Sequence, residues 1–196
     1  MFDLDDFFTG TEEYLTADDM AEVVCNDCLG CKNCCRELSA AITLDAWDVD
    51  ILKEGLGKSF DELLEDGSLK LEISDGVLLP TFGNKADAPE CVFLGENGRC
   101  TIHPYRAGIC RMYPLARRWR ADGSFAYYLQ KNECPNLTGE KMKVSEWLGY
   151  PDTGAYETAI RSYRVRLTEY RRICAGRHTP EELHEIRQKF FDDNFR

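Results

Sequence analysis

Half of the ten cysteines in this chain fall within eleven residues, at Cys25, Cys28, Cys31, Cys34 and Cys35. Cys91, Cys100, Cys110 and Cys134 follow, and Cys174 lies apart from the rest. A knot of thiolates is stable only if something positive holds it together, so this run constrains the fold more than any helix or strand signal does. A Cys-x-x-Cys step turns two sulfurs toward one ion while the backbone between them offers N–H groups. Here the step repeats three times from Cys25 to Cys34. Stacked steps of this kind suit tetrahedral zinc or an iron–sulfur cluster.

The adjacent pair Cys34-Cys35 constrains the site further. In extended backbone, neighbouring side chains point to opposite faces. Two readings follow: the pair serves two centres, or one thiol is a ligand and the other a nearby reactive group. A second group is Cys91-x8-Cys100-x2-His103-x6-Cys110. The Asn97-Gly98 signal predicts a hairpin that sets Cys91 and Cys100 side by side. His103 is then either a nitrogen ligand or a residue packed beside the site. Cys134 precedes Pro135, and bacterial ferredoxin runs close on such a Cys-Pro, a partial similarity. Cys25 reads as ligand or bystander, and Cys174 as a buried core thiol.

The length suits one domain of ordinary size with a small appendage, and 43% apolar residues supply a core. No apolar run approaches the roughly eighteen residues that a membrane span needs. The N-terminus, MFDLDDFFTG, is acidic where a secretory leader opens with positive charge. The chain is therefore expected to be cytoplasmic, with thiols reduced and available to metal rather than paired in disulfides. A net charge of -11 argues against nucleic acid and anionic membrane as partners and leaves a metal ion or cluster, and a protein, as candidates. Charge is unevenly spread. Residues 1–27 carry nine acids and no Lys or Arg, whereas 106–120 carry five arginines and no acid: Arg106, Arg111, Arg117, Arg118 and Arg120. These arginines either bind phosphate, carboxylate or an acidic protein tail, or offset thiolate charge and pair with the acidic N-terminal segment.

The patterning predicts an α+β fold: a small, irregular, metal-organised body with short antiparallel hairpins and flanking helices, then a C-terminal helical pair. A short helix is expected over Thr16–Val24, and loop and tight turns over Cys25–Cys35. A helix is expected over Thr43–Leu52 with Leu44, Trp47, Ile51 and Leu52 inward, and another after the Ser59–Glu62 capping box. Hairpins are expected around Asp75-Gly76, Gly95–Gly98 and Ala121–Gly123. Tyr156, Ile160, Tyr163, Leu167, Tyr170 and Cys174 recur at helical steps, and Thr179-Pro180-Glu181-Glu182 opens a second helix with Leu183, Ile186, Phe190 and Phe191 on its apolar side. The boundary is placed near Pro151: residues 1–150 form the cysteine-cluster domain, and 151–196 the amphipathic helical pair packed on it.

Cys28-x2-Cys31-x2-Cys34-Cys35-Arg36 resembles the signature of the CxxCxxCC family of zinc- or iron-chelating proteins, the YkgJ-type cysteine-cluster proteins. The stretch CVFLGENGRCTIHPYRAGICRMYPL, Cys91 to Leu115, is also similar to that family, and TLDAWDVDIL resembles its Leu-Thr-x-x-Asp segment. His103 stands where the family commonly has Tyr, and Ala107 where it commonly has Pro. The resemblance implies metal chelation by eight recurring cysteines: Cys28, Cys31, Cys34, Cys35, Cys91, Cys100, Cys110 and Cys134. Cys25 and His103 are possible additional ligands. It also implies distant kinship with the cluster domain of flagellin lysine N-methylases, hence a possible auxiliary role beside a protein-modifying enzyme.

Three features favour a [4Fe-4S] cluster over Zn2+: the ferredoxin-like spacing, the Cys-Pro, and arginines beside cysteines at Arg36 and Arg111. Arg36, Arg106, Arg111, Arg117 and Arg118 are the expected charge-offsetting or anion-binding residues. The alternative is a closed zinc module used for protein contact. No nucleophile triad, phosphate-cradling glycine loop or zinc-protease pair is present, so no catalytic residue is assigned.

Overall fold

The computed structural model describes residues 13–25, 33–36, 42–86, 88–130 and 133–196, and of Asn33 and Cys34 the backbone only. It is an α+β protein of helices and three two-stranded antiparallel sheets among the described residues. In chain order these are β1 (Met20–Ala21), α1 (Asn33–Arg36), α2 (Ala46–Leu56), α3 (Phe60–Glu65), β2 (Leu69–Ser74), β3 (Val77–Phe82), a 3-10 turn (His103–Tyr105), α4 (Gly108–Met112), β4 (Leu115–Trp119), β5 (Phe125–Leu129), β6 (Met142–Lys143), α5 (Val144–Leu148), α6 (Thr153–Cys174) and α7 (Pro180–Phe195). No described helix is long and apolar enough to cross a membrane.

The β2–β3 hairpin forms where Asp75-Gly76 predicts it. Both residues take positive φ, 48° and 83°, the backbone twist that a two-residue turn needs. Register runs from Leu69 opposite Phe82 to Ser74 opposite Val77. The outer edge of β3 is covered by the lead-in to α2: Leu44 N–H donates to Pro80 O at 2.8 Å. β4 pairs with β5, and Leu15 exchanges two 2.8 Å backbone bonds with Tyr127 on the far edge.

Two apolar clusters result. The first gathers α2, α3, the β2–β3 hairpin, α7 and the C-terminal half of α6, around Val49, Leu52, Leu63, Val77, Leu79 and Phe190. The second gathers Val23, Leu115, Phe125, Tyr127, Val144, Leu148, Tyr156 and Ile160. Helix α6 spans both, because its heptad-like stripe continues for six turns: Tyr156 and Ile160 enter the second cluster, and Tyr163, Leu167 and Cys174 the first. Helix α7 starts at the expected capping box, with Thr179 accepting from Glu182 N–H and Glu182 accepting from Thr179 N–H. Phe190, Phe191 and Phe195 then lock it down, Phe191 lying 5.1 Å edge-on from Phe60. Thr179→Ala is expected to cost about 1 kcal/mol, read as a fall in Tm of roughly 2–4 °C in thermal unfolding.

Three local expectations are corrected. Residues 16–24 form a turn and β1, not a helix. The Asp19 carboxylate accepts from Thr16 N–H and Oγ1–H at 2.7 Å each, and β1 takes its partner from β6 far along the chain. Residues 91–102 do not form two paired strands. Leu94 bridges Cys100 across the Gly95–Gly98 turn, but Cys91 bridges Asn84 instead. Helix α2 starts at Ala46 rather than Thr43 and also buries Asp48 and Val49; Leu44 and Leu52 are buried and Trp47 and Ile51 pack half-buried against the second cluster, all four inward as expected.

Candidate metal centre

Cys28 and Cys31 lie outside the described residues, as does the Cys34 side chain. The backbone of Cys34 and Cys35 belongs to a helical turn, α1, in which neighbouring residues project about 100° apart rather than to opposite faces. Cys35 is half-buried against the first apolar cluster. Its carbonyl accepts from Cys91 N–H at 2.8 Å. This bond joins the two cysteine-bearing segments. Beside it Arg36 and Lys85 both reach Glu90, at 3.6 and 3.5 Å. These are solvated pairs, useful for placing the loop and worth little in energy.

Cys91 is buried, and the turn 95–98 brings the chain back so that Cys100 lies opposite Leu94. Gly95 N–H donates to Arg99 O, Thr101 N–H donates to Phe93 O, and Gly98 takes φ 76°. Cys91 belongs to the first apolar cluster, and Cys35, Cys100 and Cys110 pack against it. The structure therefore brings four of the expected ligands to one apolar body.

Cys110 rides on α4, and α4 is fixed from several sides. Gly108 N–H donates to Asp48 Oδ1 at 2.6 Å. Arg111 folds back onto its own loop, donating to Arg106 O at 3.0 Å and Pro104 O at 2.5 Å, and lies over the Tyr150 ring at 4.9 Å. Trp147 donates to Met112 O at 3.2 Å, and Tyr113 O–H donates to Glu133 O, the residue before Cys134. The half-buried Cys134 is thus tied to the helix that carries Cys110. Just beyond, Cys25 bridges Leu137 and Thr138 N–H donates to Val24 O at 2.9 Å, so Cys25 runs alongside the Cys134 segment.

His103 is exposed, and Arg106 Nη1 meets its Nε2 at 2.7 Å. A guanidinium can only donate, so Nε2 accepts there. Cys174 sits in the first apolar cluster, and burial pushes its thiol pKa up. Among the described residues, no three Cys, His, Asp or Glu side chains come close enough together to hold a metal ion.

Sequence reasoning did not single out the buried acid pair Asp45 and Asp48. Each accepts from the other's backbone N–H, closing the capping box of α2, and Asp48 alone also holds Gly108 of α4. The Asp-x-x-Asp spacing before an apolar helix was the available signal. Burial, with the neighbouring Asp45 carboxyl second, pushes Asp48 up to about 8 from 3.8. Burial also raises Asp45, with Arg117 opposing. Tyr150, Tyr156 and Arg117 face the pair. A raised folded-state value means that the native protein holds a proton the unfolded chain releases. The associated stability is present at acid pH and is lost as pH rises toward about 8. The Tm advantage of the wild type over Asp48→Asn is therefore expected to shrink between about pH 5 and pH 8, followed by thermal unfolding across that range.

The chain belongs to the CxxCxxCC family: residues 27–137 match the family described as "Putative zinc- or iron-chelating domain". No curated protein and no solved structure matches it. The matched span starts before Cys28 and ends after Cys134, so it takes in all eight candidate cysteines.

Proposed function

We propose that the protein holds a [4Fe-4S] cluster through its recurring cysteines, with any thiolates left over serving a second metal site. Cys28, Cys31, Cys34, Cys35, Cys91, Cys100, Cys110 and Cys134 are the candidate ligands. The observation that carries this reading is the Cys91 N–H to Cys35 O bond, which ties the N-terminal cysteine run to the downstream group beside one apolar body. The donor chemistry fits: half-buried thiols on a shared apolar wall, with Arg36 and Arg111 in the adjoining loops. A bound cluster would supply electron storage and a strong cross-link between distant segments. The protein's own part is to place the thiols, exclude water from one side, and offset negative charge. In this reading residues 151–196 act as a helical pair that braces the cysteine-bearing body.

The family description also allows zinc, which would make the same thiols a closed structural site. Visible absorption of anaerobically purified protein separates the two. A brown protein whose band bleaches on reduction is expected. A colourless, zinc-loaded protein would overturn the cluster and leave chelation standing.

A further inference from the structure

Helix α4, which carries Cys110, is too short to set its own place. It has five residues, Gly108–Met112, and a helix of that length is not stable alone in water. Its N-cap residue is Ala107, whose side chain offers no acceptor to the first N–H groups of the helix. The acceptor comes from another helix. Asp48, in the first turn of α2, takes the Gly108 N–H at 2.6 Å across 60 residues of chain. Cys110 is the third residue of α4, in the same turn as that bond.

The acid pair also meets the chain on the other side of Cys110. Arg117 lies on β4, the strand that follows α4, and its guanidinium faces both Asp45 and Asp48. Burial raises both carboxyls; Arg117 opposes it at each, and the Gly108 N–H opposes it further at Asp48. Asp45 accepts from Asp48 N–H at 2.9 Å, which ties the pair to the start of α2. Asp48 is 2% exposed. A carboxyl at such a depth costs free energy that an apolar side chain would not. What it adds is direction: two acceptor oxygens in fixed places, Oδ2 for the Asp45 N–H and Oδ1 for the Gly108 N–H.

We propose that Asp48 is a positioning residue for the metal centre: it caps α4 from outside and so fixes the backbone that presents the Cys110 thiol. This role rests on Cys110 being a ligand, as proposed above. Groups that orient a ligand change metal affinity by about 10–100-fold when removed. Asp48 acts through the backbone rather than on the sulfur, so the lower end of that range is expected.

Competition of the metal-loaded full chain against EDTA, at a temperature where every variant is folded, tests this. Asp48→Leu fills the space and removes both acceptors, and is expected to lose its metal at about tenfold lower EDTA than wild type. Asp48→Asn keeps a carbonyl oxygen that can accept the Gly108 N–H, and is expected to hold metal as wild type does. Leu63→Ala, a cavity in the core of α3, is the stability control, with a lower Tm and unchanged metal retention. If Asp48→Leu fails to fold, Asp48→Ala, which removes the acceptors without adding bulk, takes its place. Metal lost from Asp48→Leu but held by Asp48→Asn and Leu63→Ala supports the role. Retention in Asp48→Leu equal to wild type, or an equal loss in Asp48→Asn or Leu63→Ala, overturns it and leaves chelation standing. A wild type that purifies without zinc or iron overturns both.

Discussion

Replacing Cys110 with serine is expected to strip metal from the protein and lower its Tm by about 10 °C or more. Serine is nearly isosteric with cysteine but is a poor ligand for a soft or borderline metal. Metal binding contributes on the order of 10 kcal/mol to folding in small thiolate domains. Here two apolar clusters carry part of the fold, so partial rather than complete unfolding is expected. The effect should be large because a metal at Cys110 would cross-link α4 to the segments of Cys91 and Cys134, which meet it through the Cys91–Cys35 backbone bond and the Tyr113–Glu133 bond. Cys174→Ser is the control. That thiol is more buried than Cys110 yet lies on α6 at the hairpin turn, where Gly76 approaches it. It is expected to lose about 1 kcal/mol and no metal. Equal metal content and equal Tm in Cys110→Ser and wild type would refute the ligand assignment.

Gly108→Ala is expected to lower Tm by roughly 3–10 °C and to reduce metal content with it. A methyl group there would lie 2.4 Å from the Tyr156 hydroxyl and 3.1 Å from that of Tyr150. Neither ring can retreat, since Tyr156 is packed in the second cluster and Tyr150 stacks on it. The helix must move instead, and α4 carries Cys110 and the N–H that Asp48 holds. Overpacking of this kind costs about 1–3 kcal/mol. Tyr156→Phe removes the nearest clashing atom, so the double variant should recover part of the loss, measured as a double-mutant cycle on Tm and metal. A Gly108→Ala protein with wild-type Tm would show that the helix is not so confined.

The parts of the fold that the chain announces are those decided by neighbours in sequence. Asp75-Gly76 specifies its turn because both residues tolerate positive φ, and the spacing from Tyr156 to Cys174 specifies α6 because one face must be buried. The capping boxes at Ser59 and Thr179 mark their helices for the same local reason. Long-range pairing decides the rest. Met20–Ala21 becomes strand because Met142–Lys143 comes alongside, and Cys91 turns away from Cys100 because Asn84 and Cys35 claim its backbone. At the site, spacing identified the thiols and the arginines as groups but did not separate their duties. Arg111 braces its own loop, Arg36 pairs beside Cys91, and Arg117 lies among the aromatic rings of the second cluster, facing Asp45 and Asp48. Asp48 went unremarked because its importance lies in reaching across to Gly108, a contact no local pattern reveals.

Zinc, iron and acid-labile sulfide counted per folded chain, after purification without oxygen, test the central claim most directly. At least one equivalent of bound metal is expected, falling together with helical content when a strong chelator removes it. A folded, monodisperse protein carrying neither metal, its thiols all open to a thiol reagent, would contradict the account.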